Sequence, residues 1–220
     1  DDFYAVDMRR STVFLPGWEC WGGRFTADTT GGQITCARDD TGGQEATGTV
    51  CLEPMAVYRG VFGREMKITA TLSLDGSNNS ANLYFLWRDP NNYWFVRIRG
   101  GVAEAWEVAD GGRPQARGSG GSGYQGNQTV EITLDGADSL SVKVGGAAAF
   151  SHTATLSEGY VGFGGGDGSL LDLKIETDTG SNNYVTDLLA DFSSTSTTLI
   201  SDKNGNQTFD GVFYFKYDFR

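Results

Sequence analysis

Along much of the chain apolar and polar residues alternate one for one. Met66, Ile68, Leu72 and Leu74 share one side of a segment whose other side carries Lys67, Thr69, Thr71 and Ser73. Val130, Ile132 and Leu134 alternate with Glu131 and Thr133, and Leu140, Val142 and Val144 with Ser141 and Lys143. Leu171, Leu173 and Ile175 alternate with Asp172 and Lys174 in the same way. A period of two with one polar side marks antiparallel strands buried on one face. Turn signals separate the segments: Asp75-Gly76, Asp89-Pro90-Asn91-Asn92, Gly100-Gly101, Asp135-Gly136 and Gly145-Gly146. Short strands at this spacing predict an all-β chain, a two-sheet antiparallel β-sandwich or jelly roll. The one weak helix candidate runs from Asn183 to Ala190. Of two glycine-heavy stretches, 111–126 reads as a long flexible loop, and 162–168 as strand whose glycines permit close backbone approach.

The pattern changes after Asp178. Residues 179–186 are polar and 191–201 are rich in Ser and Thr. A short C-terminal β-hairpin is then expected around Asn204-Gly205, a type I′ turn signal. The chain is thus divided into a sandwich over 1–178 and a connector with an aromatic hairpin over 179–220. Phe209, Phe213, Tyr214, Phe215, Tyr217 and Phe219 should not lie bare in water, so this end is expected to dock on the main domain, on a protein partner or on a second copy.

Composition narrows the partners. Twenty-eight Asp plus Glu against 17 Lys plus Arg give a net charge of −11, which argues against a nucleic-acid partner or an anionic membrane surface. No run approaches the ~18 consecutive apolar residues of a spanning helix, so membrane insertion is not expected. Cys20, Cys36 and Cys51 form no CxxC pair, and a single His gives a Cys/His zinc cluster little to build on. Cys20 and Cys36 could be bridged if their strands are neighbours; three buried reduced thiols is the other reading.

The central hairpin holds the best candidate chemistry. Strict alternation puts Leu83, Phe85 and Trp87 on one side with Trp94, Val96 and Ile98. Tyr84, Arg88, Tyr93, Arg97 and Arg99 then line the opposite, solvent-facing surface. Aromatic faces stack on sugar rings and Arg forks grip hydroxyls or acidic groups, which makes these five the candidate glycan-binding residues. The plainer alternative is cross-strand pairing of the arginines with Asp or Glu on an ordinary solvated sheet. Trp18, Trp21 and Trp106 read as packing residues rather than sugar platforms.

Several features follow in a recognisable order: Asp1-Asp2-Phe3, then Gly17-Trp18-Glu-Cys-Trp21, Gly32-Gln-Ile-Thr-Cys36, and Leu83 to Ile98 with Asp89-Pro-Asn-Asn-Tyr93 at its centre. It closes with Gly159-Tyr-Val-Gly-Phe163 and Leu171-Asp-Leu-Lys-Ile175. This order resembles the concanavalin A-like lectin/glucanase superfamily, in its laminin-G-like and carbohydrate-binding-module branch. The resemblance covers 1–178 and implies a concanavalin A-like jelly roll that often holds glycans, with its Asp-bearing closing strand beside the first. Enzymes, lectins and structural modules share that fold, so it does not by itself assign an activity.

No catalytic constellation stands out. The family's Glu-x-Asp-x-x-Glu strand is absent, and Glu104 and Glu107 point to opposite faces of a regular strand. His152 lacks the Gln-x-His setting of the alginate-lyase branch, and no Gly-x-Ser-x-Gly elbow or phosphate loop occurs. Asp202, Asn204 and Asn206, or Asp75, Asn78 and Asn79, could hold a structural calcium, but hairpin turns use the same residues. No cofactor is expected. Asn78, Asn127 and Asn206 head N-x-Ser/Thr sequons. The expectation is a non-catalytic glycan-binding module on the surface of an extracellular or virion assembly, such as a phage decoration or fibre protein. A glycoside hydrolase or polysaccharide lyase of this fold, and a structural brick without ligand, are the alternatives.

Overall fold

The computed structural model describes residues 3–6, 18–21, 24–28, 33–37, 50–74, 80–135, 138–153, 158–165, 168–177, 184–187, 200–201 and 207–209. All regular structure among them is strand, in chain order β1 (Phe3–Val6), β2 (Trp18–Trp21), β3 (Arg24–Asp28), β4 (Gln33–Ala37), β5 (Val50–Glu53), β6 (Met55–Gly63), β7 (Glu65–Ser73), β8 (Ser80–Asp89), β9 (Asn92–Arg99) and β10 (Val102–Val108). There follow β11 (Gln115–Gly120), β12 (Asn127–Asp135), β13 (Ser139–Val144), β14 (Ala147–Thr153), β15 (Gly159–Gly164), β16 (Ser169–Thr177), β17 (Tyr184–Asp187), β18 (Ile200–Ser201) and β19 (Gln207–Phe209).

Two antiparallel sheets face each other. One runs β11-β10-β9-β8-β15-β6-β2, the other β14-β13-β12-β7-β16-β4-β3 with β17 also on β16. Between them lies the main core, filled by the alternating residues of both: Met66, Ile68 and Leu72 of β7, Val130, Ile132 and Leu134 of β12, and Leu83, Phe85, Trp94, Val96 and Ile98 of the central hairpin. The period of two therefore places the core as expected. Gly145 and Gly146, at φ 60 and 81, make the tight β13–β14 turn. On one flank β11 approaches β14 so closely that a Cβ on Gly118 would lie 3.0 Å from the Phe150 ring.

Four expectations are corrected. The 111–126 stretch is not all loop, because β11 within it pairs with β10. The helix candidate contains strand β17, whose residues complete a ladder on β16. In β16 an irregularity between Leu170 and Asp172 shifts the phase, so Leu170 rather than Leu171 joins the core. The closing strand does not lie beside the first: β16 runs between β7 and β4, while β1 pairs with β5 in a separate parallel ladder.

Strands β18 and β19 form the antiparallel pair expected near the C-terminus. The Asn204-Gly205 turn, the side chain of Phe209, and Phe213, Tyr214, Phe215, Tyr217 and Phe219 lie outside the described residues. Cys20 is a free, buried thiol in β2; the side chains of Cys36, Cys51 and Trp21 lie outside the described set.

Candidate functional site

The seven-stranded sheet carries a second apolar cluster on the face turned away from the core. Its origin is local. Strand β8 reads as a regular alternation, but Leu86 adopts φ 51 and follows Phe85 into the main core. The pairing records the extra residue: Tyr84 and Trp87, three apart on β8, oppose Gly162 and Tyr160, two apart on β15. Such a bulge reverses the phase of everything beyond it. Trp87 therefore turns outward to Tyr84's side, correcting the expectation that it fills the core. Alternation from Trp87 carries the exposed Arg88 off that side.

Met55, Val57, Tyr84, Trp87, Tyr93, Phe95 and Val108 form the outer cluster, with the half-buried Trp106 and Tyr160 against it. Phe95 and Trp106, directly opposite in register, stack at 6.4 Å with their planes 9° apart. Tyr84 meets Tyr93 edge-on at 5.8 Å. Gly162, paired with Tyr84 on one side and Val57 on the other, leaves bare backbone in the middle of the sheet. A Cβ there would come 2.6 Å from the Ala56 carbonyl oxygen, the close approach the glycine pattern implied.

Two ion pairs frame the rings. On β9 Arg97 lies opposite Glu104 of β10; its Nη2 and Nε donate to Glu104 Oε2 at 2.6 and 3.1 Å, and its guanidinium lies 5.2 Å from the Trp106 ring centroid. On β6 Arg59 donates through Nε at 2.6 Å, and also through Nη2, to Glu19 Oε2 of β2. Its guanidinium sits between two rings, 4.5 Å from Trp87 and 4.7 Å from Tyr160. A guanidinium held by a carboxylate and stacked on aromatics has little freedom left to lose on binding.

The structure thus brings Tyr84, Tyr93 and Arg97 together on one face, but buries them at 1%, 4% and 4% exposure. They do not line open solvent as expected. Arg97 has taken the plainer course, pairing across the strands, because a guanidinium removed from water needs a counter-charge. Arg99 is exposed at the end of β9 beside the Gly100 turn. The accessible parts of the face flank its buried centre. Glu104 and Trp106 lie on one side; Glu19, Arg59, Tyr160 and Phe62 lie on the other. Phe62, 51% exposed, is the exposed large hydrophobic among the described residues, and it meets Tyr160 at 4.8 Å. Sequence reading missed Glu19, Arg59, Phe62 and Tyr160, because Glu19 and Arg59 are 40 residues apart and only the β2–β6 pairing joins them.

The other candidates have structural partners. Glu107 receives Arg117 Nε at 2.8 Å, and Glu104 and Glu107 oppose the outward Arg97 and the inward Trp94 respectively. His152 lies half-buried on β14, its ring 5.8 Å from that of Trp94. Trp18 belongs to the main core. Among the described residues no group of three His, Cys, Asp or Glu could hold a metal ion. The turns at 75–79 and 202–206 lie outside them.

No protein-family model matches the chain, and no curated protein matches its sequence. Solved structures do. The carbohydrate binding module CBM66 from Bacillus subtilis aligns with a TM-score of 0.57 at 11% identity, over 71% of this chain and 91% of its own. A protein of unknown function with a galectin-like fold, also from Bacillus subtilis, gives 0.51 at 8% identity, over 77% and 93%. The carbohydrate recognition domain of Emp47p gives 0.50 at 14% identity, over 80% and 95%. The chain therefore has the concanavalin A-like or galectin-like β-sandwich fold, as the order of its motifs implied.

Proposed function

We propose that this chain is a non-catalytic glycan-binding module that uses the outer face of its seven-stranded sheet. The observation that carries this reading is the gathering, on the accessible flanks of that face, of Trp106 and Glu104 on one side and of Phe62, Tyr160 and the Arg59–Glu19 pair on the other. Ring faces cover the apolar side of a sugar, while fixed donors and acceptors match its hydroxyls. CBM66 and the Emp47p domain, carbohydrate-binding by name, lend support through the shared fold. Of the five residues expected to hold the glycan, Tyr84, Tyr93 and Arg97 serve as its buried underlay, and Arg99 stands at its edge.

Catalysis has less to stand on. Acid–base hydrolysis needs two carboxyls free to exchange protons across a bond, and Glu104, Glu107 and Glu19 are each held by an arginine. A place on the surface of an extracellular or virion assembly is the setting we favour. Its support is the acidic, Gly-rich composition and the aromatic run near the C-terminus.

A glycan array read together with the mass in solution tests the proposal. Saturable retention of one glycan class by a monomer is expected. Absence of any retention, with self-association instead, would replace it by a building block of lectin-like fold.

A further inference from the structure

We infer that Phe62, Tyr160 and the Arg59–Glu19 pair form the primary contact for the glycan, and that they select a neutral sugar over an acidic one. This rests on the glycan-binding reading and deepens it.

A single exposed aromatic is ordinary on a protein surface. Phe62 differs in what stands beside it. Its ring meets Tyr160 in an edge-on step at 4.8 Å, and Tyr160 in turn covers the guanidinium of Arg59. Arg59 and Glu19 keep 27% and 28% of their side chains in contact with solvent, so both reach the surface while locked to each other. The patch therefore offers an apolar ring, a planar set of N–H donors and a carboxylate acceptor, all preorganised on paired strands. A sugar presents the complementary sequence, an apolar C–H face beside adjacent hydroxyls that both donate and accept. Binding to such a fixed site loses little side-chain entropy.

Charge decides the class. The cation at this patch is already matched by Glu19, Arg97 is matched by Glu104, and the exposed Arg99 stands on β9, with β8 and β15 between it and the β6 patch. A uronate or sulfate would meet no uncommitted positive charge in these pairs. It would also approach a chain of net charge −11 against its field. A neutral glycan pays neither penalty.

The test is affinity electrophoresis of the full chain in gels containing dextran, mannan, galactan or xylan, and in parallel alginate, polygalacturonate or hyaluronan. At least one neutral polymer should retard the protein, equally at about 50 mM and about 500 mM salt, since screening acts on charged partners. Phe62→Ala should weaken that retention roughly tenfold without lowering the melting temperature, and Phe62→Trp should restore it. Lys143→Ala, on the other sheet, should leave it unchanged. Retention by the acidic polymers alone would overturn the neutral class and leave glycan binding standing. Neutral retention indifferent to Phe62→Ala would move the contact elsewhere on the protein. No retention of the unaltered chain by any polymer would remove the glycan-binding reading itself.

Discussion

Leu86 and Gly159 interlock across the β8–β15 pair. Leu86 holds the left-handed φ of 51 that sends it into the core behind Phe85, and a Cβ on Gly159 would overlap the Cα and carbonyl carbon of Leu86. The bulge can exist only because its neighbour has no side chain. It also decides which way Trp87 points, and with it the aromatic face described above.

Gly159→Ala is accordingly expected to destabilise the fold by about 1–3 kcal/mol, since the obstruction is backbone and cannot rotate away. Urea unfolding followed by tryptophan fluorescence measures this. A variant as stable as the parent would show that the bulge tolerates a side chain.

Glu104→Gln removes the negative partner of a guanidinium that is only 5% exposed. Glu104 itself is 31% exposed, so the loss should fall below that of a fully buried pair, at about 1–3 kcal/mol. Glu131→Gln, on the polar face of the other sheet, should cost less than about 1 kcal/mol because the cations it meets, Lys67 and Lys143, are 38% and 50% exposed. Equal effects in the two variants would contradict the burial difference.

Cys20 should be inert. Burial, aided by the negative charge of Glu19, pushes its thiol from 9.0 up to about 12. At pH 8 it should resist iodoacetamide in the native chain and react in denaturant, as peptide mass mapping would show. The same shift makes alkali destabilising. The unfolded thiol loses its proton near 9 and the folded one near 12, so this contribution is complete below pH 9 and fades as pH rises towards 12. A Cys20→Ala variant should show a flatter decline of stability across that window.

At the acid end Glu131 acts in the opposite sense. The hydrogen bond from Lys67, reinforced by Lys143, holds its carboxyl below the ordinary glutamate value of 4.5. A carboxyl depressed on folding contributes stability at neutral pH and loses it as pH falls through its folded value. The difference in urea midpoint between the parent and Glu131→Gln should therefore be measurable at pH 7 and shrink in acid and in high salt. A difference that grew on acidification would show that Glu131 is held by something other than these lysines.

How far the fold could be read in advance follows from where the alternation is unbroken. Strands β7, β12 and β13 could be placed residue by residue because Met66 to Leu72, Val130 to Leu134 and Leu140 to Val144 keep strict phase. The alternation slips by one residue at Leu170 and again at Leu86, where a bulge inserts a residue without any change in composition. Beyond Leu86 that slip exchanged the places of Trp87 and Arg88, and so altered the site rather than the fold.

The site was half legible for the same reason. Tyr84, Tyr93 and Arg97 could be assigned to one face from alternation alone, but nothing local distinguished a buried face from an open one. The partners that decide it, Glu104 for Arg97 and Glu19 for Arg59, are supplied by pairing between strands.

By itself the sequence determined the class of this protein: period-two hydrophobicity and glycine turns leave an antiparallel sandwich as the arrangement that buries its apolar residues. Only the tertiary structure decided the side to which Trp87 turns, the charge each arginine meets, and that Phe62 is left facing water. Those depend on bulges and on contacts between distant strands, and a local pattern of polarity carries no record of either.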